Sequence, residues 1–518
     1  MHCRIVVLLT SLWLAGCATT APDLVLTNGK VFTADDAQPW AEAVAIRGER
    51  IVRVGSSADV RALAGPQTEV LDLGGRVVVP GINDAHVHVP WGGNSTRVEV
   101  PERATAEQVL VAIRTKVAEA APGTWLSAEI APELLDDRRM TREALDGIAP
   151  QHPVSLDNLA GHTRLLNSAA LRQWNIREMD PDPKGGRYGR TPDGRLSGWV
   201  YEHGLWMHDA ETAAAVADEA LVASMRGFAQ EALRFGITSV QSMPVIPRER
   251  ALRLEQQAAT PLRWRWMELQ IARVEPQPDG PVKYVVDGTP IERGAALRAP
   301  WSDRQVDRGF MNYTDAELRA MLETAARSEH QLLLHISGDL PLAKLYAAMA
   351  AVPADWPAKR VRIEHGDFMG DFLTEAARFQ TVHVINPSHM MLPELFVQRF
   401  GPERMRTFAA ARSVLERGIP LAIGSDGPIH PWLNVMFAGM NPANPSEALT
   451  REQAVIAYTR GSAFAEGMER EKGTISAGKL ADLAVLSQDV FTVAPPQLPK
   501  TMSVLTVVGG KVVWREGL

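Results

Sequence analysis

Cysteine is scarce in this sequence. Two occur in 518 residues, Cys3 and Cys17, both near the N-terminus. Once that end is accounted for (below), no cysteine is left to form a disulfide, act as a nucleophile or bind a metal. Any metal must then be held by histidine, carboxylate or a modified side chain. Charge of one sign is also lacking. The 54 basic and 61 acidic residues give a net charge of −7, with the signs interspersed and no basic run, which argues against a nucleic-acid partner. The apolar run Ile5–Leu14 is too short to span a bilayer as a mature helix. No internal repeat or low-complexity tract interrupts the chain. What is present is ordinary globular composition, 46% hydrophobic and 22% charged, with length enough for one large barrel and appendages.

The first twenty residues read as a targeting segment. Arg4 precedes the apolar run, small residues follow, and a cysteine comes next, the order of a secretory signal. Leu14-Ala15-Gly16-Cys17 resembles the bacterial lipobox, which implies a signal peptide over 1–16, lipidation of Cys17 and a tether over 17–23. A plain signal peptide cleaved nearby is the alternative. Removing 1–16 takes away one base, Arg4, and Cys3, so the mature charge is 53 − 61 = −8. Ala18 after the cysteine, rather than aspartate, points by analogy to the outer membrane facing the periplasm, with the lipid anchor as the only membrane contact.

Both ends of the remaining chain read as short strands broken by glycine. Leu24–Leu26 runs into Asn28-Gly29, a hairpin signal, and then Lys30–Phe32. Ala43–Ile46, Ile51–Val54 and Val77–Val79 follow, and Leu483–Leu486, Val504–Val508 and Lys511–Trp514 repeat the texture at the C-terminus. Neither end alone has apolar surface enough for a core. One composite β-sandwich domain from 24–80 and 470–518 is therefore expected. The middle, 81–469, carries eight apolar, β-rich runs: Ala85–Val89, Ile237–Gln241, Trp264–Leu269, Val282–Val286, Leu332–Ile336, Val361–Glu364, Val382–Ile385 and Leu421–Ile423. Helical patterns such as Asp315–Glu329 (capped by Thr314) and Leu373–Arg378 lie between several of them. Eight alternations predict an α/β fold, a (β/α)8 TIM barrel. The stretch from about 90 to 235 has amphipathic helices and a Gly/Pro/Asp-rich loop, Asp180–Gly198, and is expected as an insertion capping the barrel mouth. Trp264 and Trp266 alternate on one strand and are expected in the core. Met390-Met391 is expected to fill irregular packing.

The chemistry concentrates at strand ends. In Asn83-Asp84-Ala85-His86-Val87-His88, the two histidines are two residues apart on a strand, so both can face one point inside the barrel, half a zinc site. Lys283 sits in Val282-Lys283-Tyr284-Val285, a strand otherwise apolar. His335 ends Leu332–His335, His365 ends Arg362-Ile363-Glu364-His365, and Asp426 ends Ala422–Asp426. These residues belong to the first, fourth, fifth, sixth and eighth runs. All but the lysine stand at C-terminal ends, where barrel enzymes place their chemistry.

This motif set resembles the amidohydrolase superfamily, and within it the YtcJ-like amidohydrolases, which include N-substituted formamide deformylases. Gly161–Ser168, His335-Ile336-Ser337-Gly338-Asp339 and Gly478-Lys479-Leu480-Ala481-Asp482 extend the likeness from residue 24 to the end. The departure is Ile336-Ser337, where relatives commonly have Ala-Ile. The resemblance implies two divalent ions, zinc by analogy. His86, His88 and Asp426 would hold one and His335 and His365 the other, with Lys283 bridging them as a carbamate. A buried ion pair is the alternative for Lys283, and Glu202, in the insertion, is a rival bridge. Asp426 would shuttle the proton of a metal-activated hydroxide to the leaving nitrogen, and His162 would donate to the oxyanion unless it merely braces the cap. The implied reaction is hydrolysis of an amide-type C–N bond, not a peptide bond in a protein, in a small molecule. Lactone hydrolysis, deamination or a non-catalytic ligand-binding lipoprotein are the competing readings. Substrate identity is not legible, and a homodimer is left open.

Overall fold

The computed structural model describes residues 21–90, 95–101, 103–271 and 280–518. The lipobox-like segment and Cys17 lie outside them. Among the described residues no helix is long and apolar enough to cross a membrane.

The eight apolar runs of the middle form two parallel sheets. One has the order Arg263–Trp266, Ile237–Ser242, Ile82–Val87. The other holds six strands in chain order: Glu268–Gln270, Val282–Val285, Leu332–Ile336, Arg362–His365, Val382–Ile385 and Leu421–Ile423. Every neighbouring pair is parallel. The third expected strand is thus split, with Met267 alone between its halves. At the other extreme the Asp426 amide donates to the His86 carbonyl at 2.8 Å, bringing the last strand end beside the first. Helices cover the sheets. Asp315–Arg327 begins with Thr314 and Glu317 capping each other's backbone and buries Leu318, Met321, Leu322 and Ala325. Trp264 and Trp266 stack at 4.9 Å beneath the helix Arg248–Ala258, where Glu255 accepts from the Trp266 indole, so their role is packing.

The two chain ends meet in a six-stranded sheet, ordered Lys511–Arg515, Ser503–Val508, Leu483–Leu486, Val77–Pro80, Lys30–Phe32, Trp40–Ala41. A four-stranded sheet, Arg50–Gly55, Ala43–Arg47, Leu24–Thr27, Glu69–Asp72, shares its core. Leu24, Leu26, Val44 and Ile46 of the one touch the same cluster as Val31, Val78, Leu483 and Val507 of the other. The hairpin expected at Asn28-Gly29 does not form. Leu24–Thr27 pairs with Ala43–Arg47 and Glu69–Asp72, while Lys30–Phe32 pairs with Trp40–Ala41 and Val77–Pro80. Asn28, at φ 54°, turns the chain from one sheet into the other. Burial explains the choice. Leu24, Val25 and Leu26 are all buried, so the strand needs cover on both faces, which an isolated two-stranded ribbon does not provide. Leu24 and Leu26 enter the shared core, and Val25 packs with Val60 of the helix Ser57–Arg61.

The segment between the first two parallel strands carries helices as expected, among them Ala106–Glu119 and Asp218–Arg234, together with a sheet. Six strands run in the order Gly186–Arg190, Leu196–Glu202, Thr163–Leu166, Val154–Asn158, Leu126–Ile130, Thr96–Arg97. The expected loop Asp180–Gly198 contains a hairpin between the first two. Leu196–Glu202 alternates buried and partly buried positions, the period-two signature of a strand, and Gly194 at φ 86° supplies the turn.

Candidate active site

The strand Ile82–Val87 delivers His86, and His88 follows just beyond it, with ring centroids 5.3 Å apart. Gly424, on the facing strand end, has no room for a Cβ, which would strike His86; only glycine allows the last strand to approach so closely. That approach carries Asp426 onto the imidazoles. Its Oδ1 is 3.4 Å from His86 Nε2 and 3.3 Å from His88 Nε2, and its Oδ2 is 3.7 Å from His365 Nε2 and 3.8 Å from His389 Nε2. Asp426 and His365 adopt left-handed φ of 43° and 68°, conformations that non-glycine residues keep only where their surroundings enforce them.

A second row of groups fixes the first. Glu364 accepts from His86 Nδ1 at 2.7 Å and is held by the buried Arg362 guanidinium, whose Nε donates at 2.8 Å. His86 therefore presents Nε2 to the site. Met243 O accepts from His88 Nδ1 at 3.0 Å and does the same for His88. Burial pushes the His86 imidazole down to about 4 against the pull of Asp426. Burial also holds His335 and His365 well below the usual histidine range. It opposes the charge on Asp426 too, but His86 and His88 keep that carboxyl well below its ordinary value. The neutral imidazoles and ionised carboxylate that result are the protonation states a metal requires.

Lys283 is buried, with Nζ 2.9 Å from His86 Nε2 and 3.1 Å from Met243 Sδ. Burial lowers its pKa, against Asp426 and Glu364, and no ion pair of Lys283 is found among the described residues. His335 and His365 lie 4.3 Å apart, ring to ring, and each has a buried Nε2 without a hydrogen bond among the described residues. His162 reaches the site from the inserted sheet and packs on His335 at 4.8 Å. Glu202 accepts from its Nδ1 at 3.0 Å. Burial disfavours the His162 charge, yet the Glu202 carboxylate outweighs it and raises the pKa. Glu202 is turned toward His162 and Asn312.

His86, His88 and Asp426 offer donor atoms close enough to hold one ion, as do His365, His389 and Asp426. The site residues expected from the sequence, His86, His88, Lys283, His335, His365, Asp426 and His162, are thus brought together. Three contributors were not foreseen. His389 follows the seventh run in Pro387-Ser388-His389, four residues past the strand end at Ile385, out of reach of the strand-end rule that found the others. Glu364 lies inside a motif already quoted. Glu292, grouped with His162 and Glu202, has no signal in the sequence.

A cavity of about 90 Å³ opens over this cluster. His162, His335, His365 and Asp426 line one side, and Ile291, Met390, Met391, Phe396 and Phe408 make an apolar wall. Met390 and Met391 thus face the cavity, not merely the packing around it.

The chain belongs to the amidohydrolase family, whose model matches residues 69–514. As a member of that family it is an enzyme of the amidohydrolase kind. Among curated proteins it is 28% identical to an N-substituted formamide deformylase of Arthrobacter pascens, over 95% of this chain and 98% of that one. It is 26% identical to the putative amidohydrolase YtcJ of Bacillus subtilis, over 94% and 99%. Among solved structures, an uncharacterized metal-dependent hydrolase of Pyrococcus horikoshii superposes with a TM-score of 0.68 at 20% identity, covering 91% of this chain and 99% of that one. Atrazine chlorohydrolase from Arthrobacter aurescens, solved with zinc, superposes at 0.51 and 16% identity, covering 95% of each chain.

Proposed function

We propose that the protein is a lipid-anchored, metal-dependent hydrolase that cleaves an amide-type C–N bond in a small molecule. The two parallel sheets are read as arcs of one (β/α)8 barrel over 81–469, capped by the insertion at about 90–235. The terminal sheets form a β-sandwich from 24–80 and 470–518. The observation that carries the functional reading is the donor set itself: His86, His88, His365 and His389 around Asp426, with His335 beside them, and Nε2 atoms of His335 and His365 that are buried without a hydrogen bond among the described residues. His86, His88 and Asp426 would hold one divalent ion and His335 and His365 a second, zinc being the ion a histidine and carboxylate set of this kind takes readily. Burial of Lys283, with no ion pair among the described residues, lowers its pKa and so favours the neutral amine that adds CO₂; a carbamate at its Nζ would bridge the ions. Glu202 is the poorer bridge because His162 and Asn312 already engage it.

Bound divalent ions supply Lewis-acid polarisation of the scissile carbonyl and bring the pKa of a water toward neutrality. Asp426 takes the proton of the attacking water and returns it to the leaving nitrogen. Glu202 raises the His162 pKa and favours the protonated ring, whose Nε2–H would donate to the carbonyl oxygen as negative charge develops there. The apolar wall of Met390, Phe396 and Phe408 holds a substituent and excludes water.

Purified protein supplied with bicarbonate is expected to hold about two divalent ions per chain and to hydrolyse members of a formanilide and acyl-amide panel only when metal-loaded. Lys283→Ala is expected to lose most of the metal and to regain part of it with short carboxylic acids. Equal hydrolysis by metal-stripped protein would end the reading. Retention of both ions by Lys283→Ala would move the bridge to Glu202.

A further inference from the structure

Beside the cavity over the imidazole cluster lies a larger groove of about 630 Å³. Leu159, Met391 and Leu392 line both, so these three side chains form the partition between them. Leu159 stands on the turn after the inserted strand Val154–Asn158, three residues before His162. Met391 ends the short 3₁₀ segment Pro387–Met391 that carries His389. The passage is thus bounded by the insertion on one side and by a loop of the parallel sheets on the other.

The size of the inner cavity sets a limit. At about 90 Å³ it is smaller than the roughly 150 Å³ of an apolar cavity that takes up benzene. A scissile amide with a substituent of a few carbons fills it, and anything longer has to leave. Past the partition a longer substituent meets a surface that suits it. Val98, Val100, Ile130 and Pro132 of the insertion line the groove together with Leu433 and Phe437 of the helix Pro431–Met440. Val98, Ile130 and Pro132 are buried, whereas the charged members, among them Arg97, Glu99 and Glu133, are exposed and of both signs. The groove therefore offers an apolar floor to a hydrocarbon and no field of one sign to an ionic group. Leu159 and Met391 are 45% and 39% exposed. One exposed apolar side chain means little, but two on the partition make the apolar path continuous from cavity to groove. An unbranched methionine is also free to swing aside for a passing chain.

We propose that the substrate carries an extended apolar substituent, an alkyl or arylalkyl chain, which runs from the imidazole cluster between Leu159 and Met391 into this groove. The chain belongs to the acyl or to the amine side of the bond that is cut. The nature of that bond rests on the hydrolytic reading above; the binding of the chain does not.

Two homologous series test this on metal-loaded full-length protein, each used below the concentration at which its members self-associate. N-alkyl formamides lengthen the amine side, and N-methyl alkanamides lengthen the acyl side. In one series kcat/KM is expected to climb beyond the butyl member, by up to about fourfold for each methylene buried, and the series that climbs assigns the end. Leu433→Gln puts an amide on the groove wall and Leu159→Gln puts one at the passage. Each variant, its fold checked by melting, is expected to lower the decyl-over-butyl ratio of kcat/KM at least about fivefold, as apolar contact with the chain is lost. Rates flat or falling past butyl in both series, or a decyl preference that survives in both folded variants, overturn the proposal. Leu159 is on an exposed turn, so its variant decides should Leu433→Gln not fold. Turnover of no amide of any length rejects the hydrolytic reading, and calorimetry then judges the groove. Saturable binding of N-decylformamide or N-methyldecanamide, weakened in Leu159→Gln, keeps it; binding of neither, or undiminished binding by the variant, overturns it.

Discussion

Asp426 is the residue on which the site turns, because both its oxygens face imidazoles and its backbone is pinned to the His86 carbonyl. The Asp426→Asn variant keeps the shape and one ligating oxygen. It is expected to retain the fold and most of the metal while losing roughly 10²–10⁴-fold in turnover, the usual worth of a positioned acid–base group. Rate and metal content measured on the same preparation check this, and near wild-type turnover with metal in place would assign the proton transfer elsewhere. The residues legible in the sequence were those at regular strand ends. His86 and His88 announce themselves by spacing, and Lys283 by being the one charge in an apolar strand. His389 escaped because it follows a strand through the short 3₁₀ segment Pro387–Met391, where no periodicity marks which way a side chain points. Glu292 escaped for a different reason: which far-off loop arrives over the strand ends is a property of tertiary packing.

At the scale of elements, two buried aspartates fasten strand ends to one another. Asp84 accepts from the Ser425 amide at 2.8 Å and from the Tyr458 hydroxyl at 3.1 Å, tying the first parallel strand to the turn that bears Asp426. Asp287 accepts from the amides of Ser337, Gly338 and Ala296, at 2.9, 2.8 and 2.8 Å, tying the lysine-bearing strand to the turn after His335. Neither was singled out from the sequence, although both lie within or beside quoted motifs, because an aspartate near a strand end reads equally well as a solvated turn. In Asp287→Asn an NH₂ faces a backbone N–H whichever way the amide turns. The variant is expected to lose about 1–3 kcal/mol of stability, the cost of buried donors left unmatched, seen as a lower urea midpoint, together with weaker metal retention. An unchanged midpoint would show that the turn after His335 is held by other contacts. The hairpin missed in 180–198 teaches the complementary lesson. Its glycines and prolines read as loop, and only the alternation within Leu196–Glu202 betrays the strand.

For the molecule as a whole, the eight parallel runs and the strand-rich ends were readable from period and punctuation, whereas the partnering of the first two strands was not. Turn chemistry at Asn28-Gly29 names a local bend, but burial on both faces of Leu24–Leu26 decides which sheets receive it. The N-terminal proposal is tested in the same whole-cell setting: wild type is expected in the membrane fraction, and Cys17→Ser unprocessed or soluble. Equal fractionation of both, with no lipid mass on the mature N-terminus, would remove the anchor. The six-stranded sheet in which Val77–Pro80 is flanked by Leu483–Leu486 has a kinetic meaning as well. The strand that leads directly into His86 finds one of its neighbours about 400 residues downstream, among the last parts of the chain to leave the ribosome. Loop closure over that separation is slow, so this sheet edge stays open and the first histidines unsupported until the distant strand has docked. The strand before His86 is thus completed by one of the most sequence-distant contacts in the fold, and the order of the site waits on it.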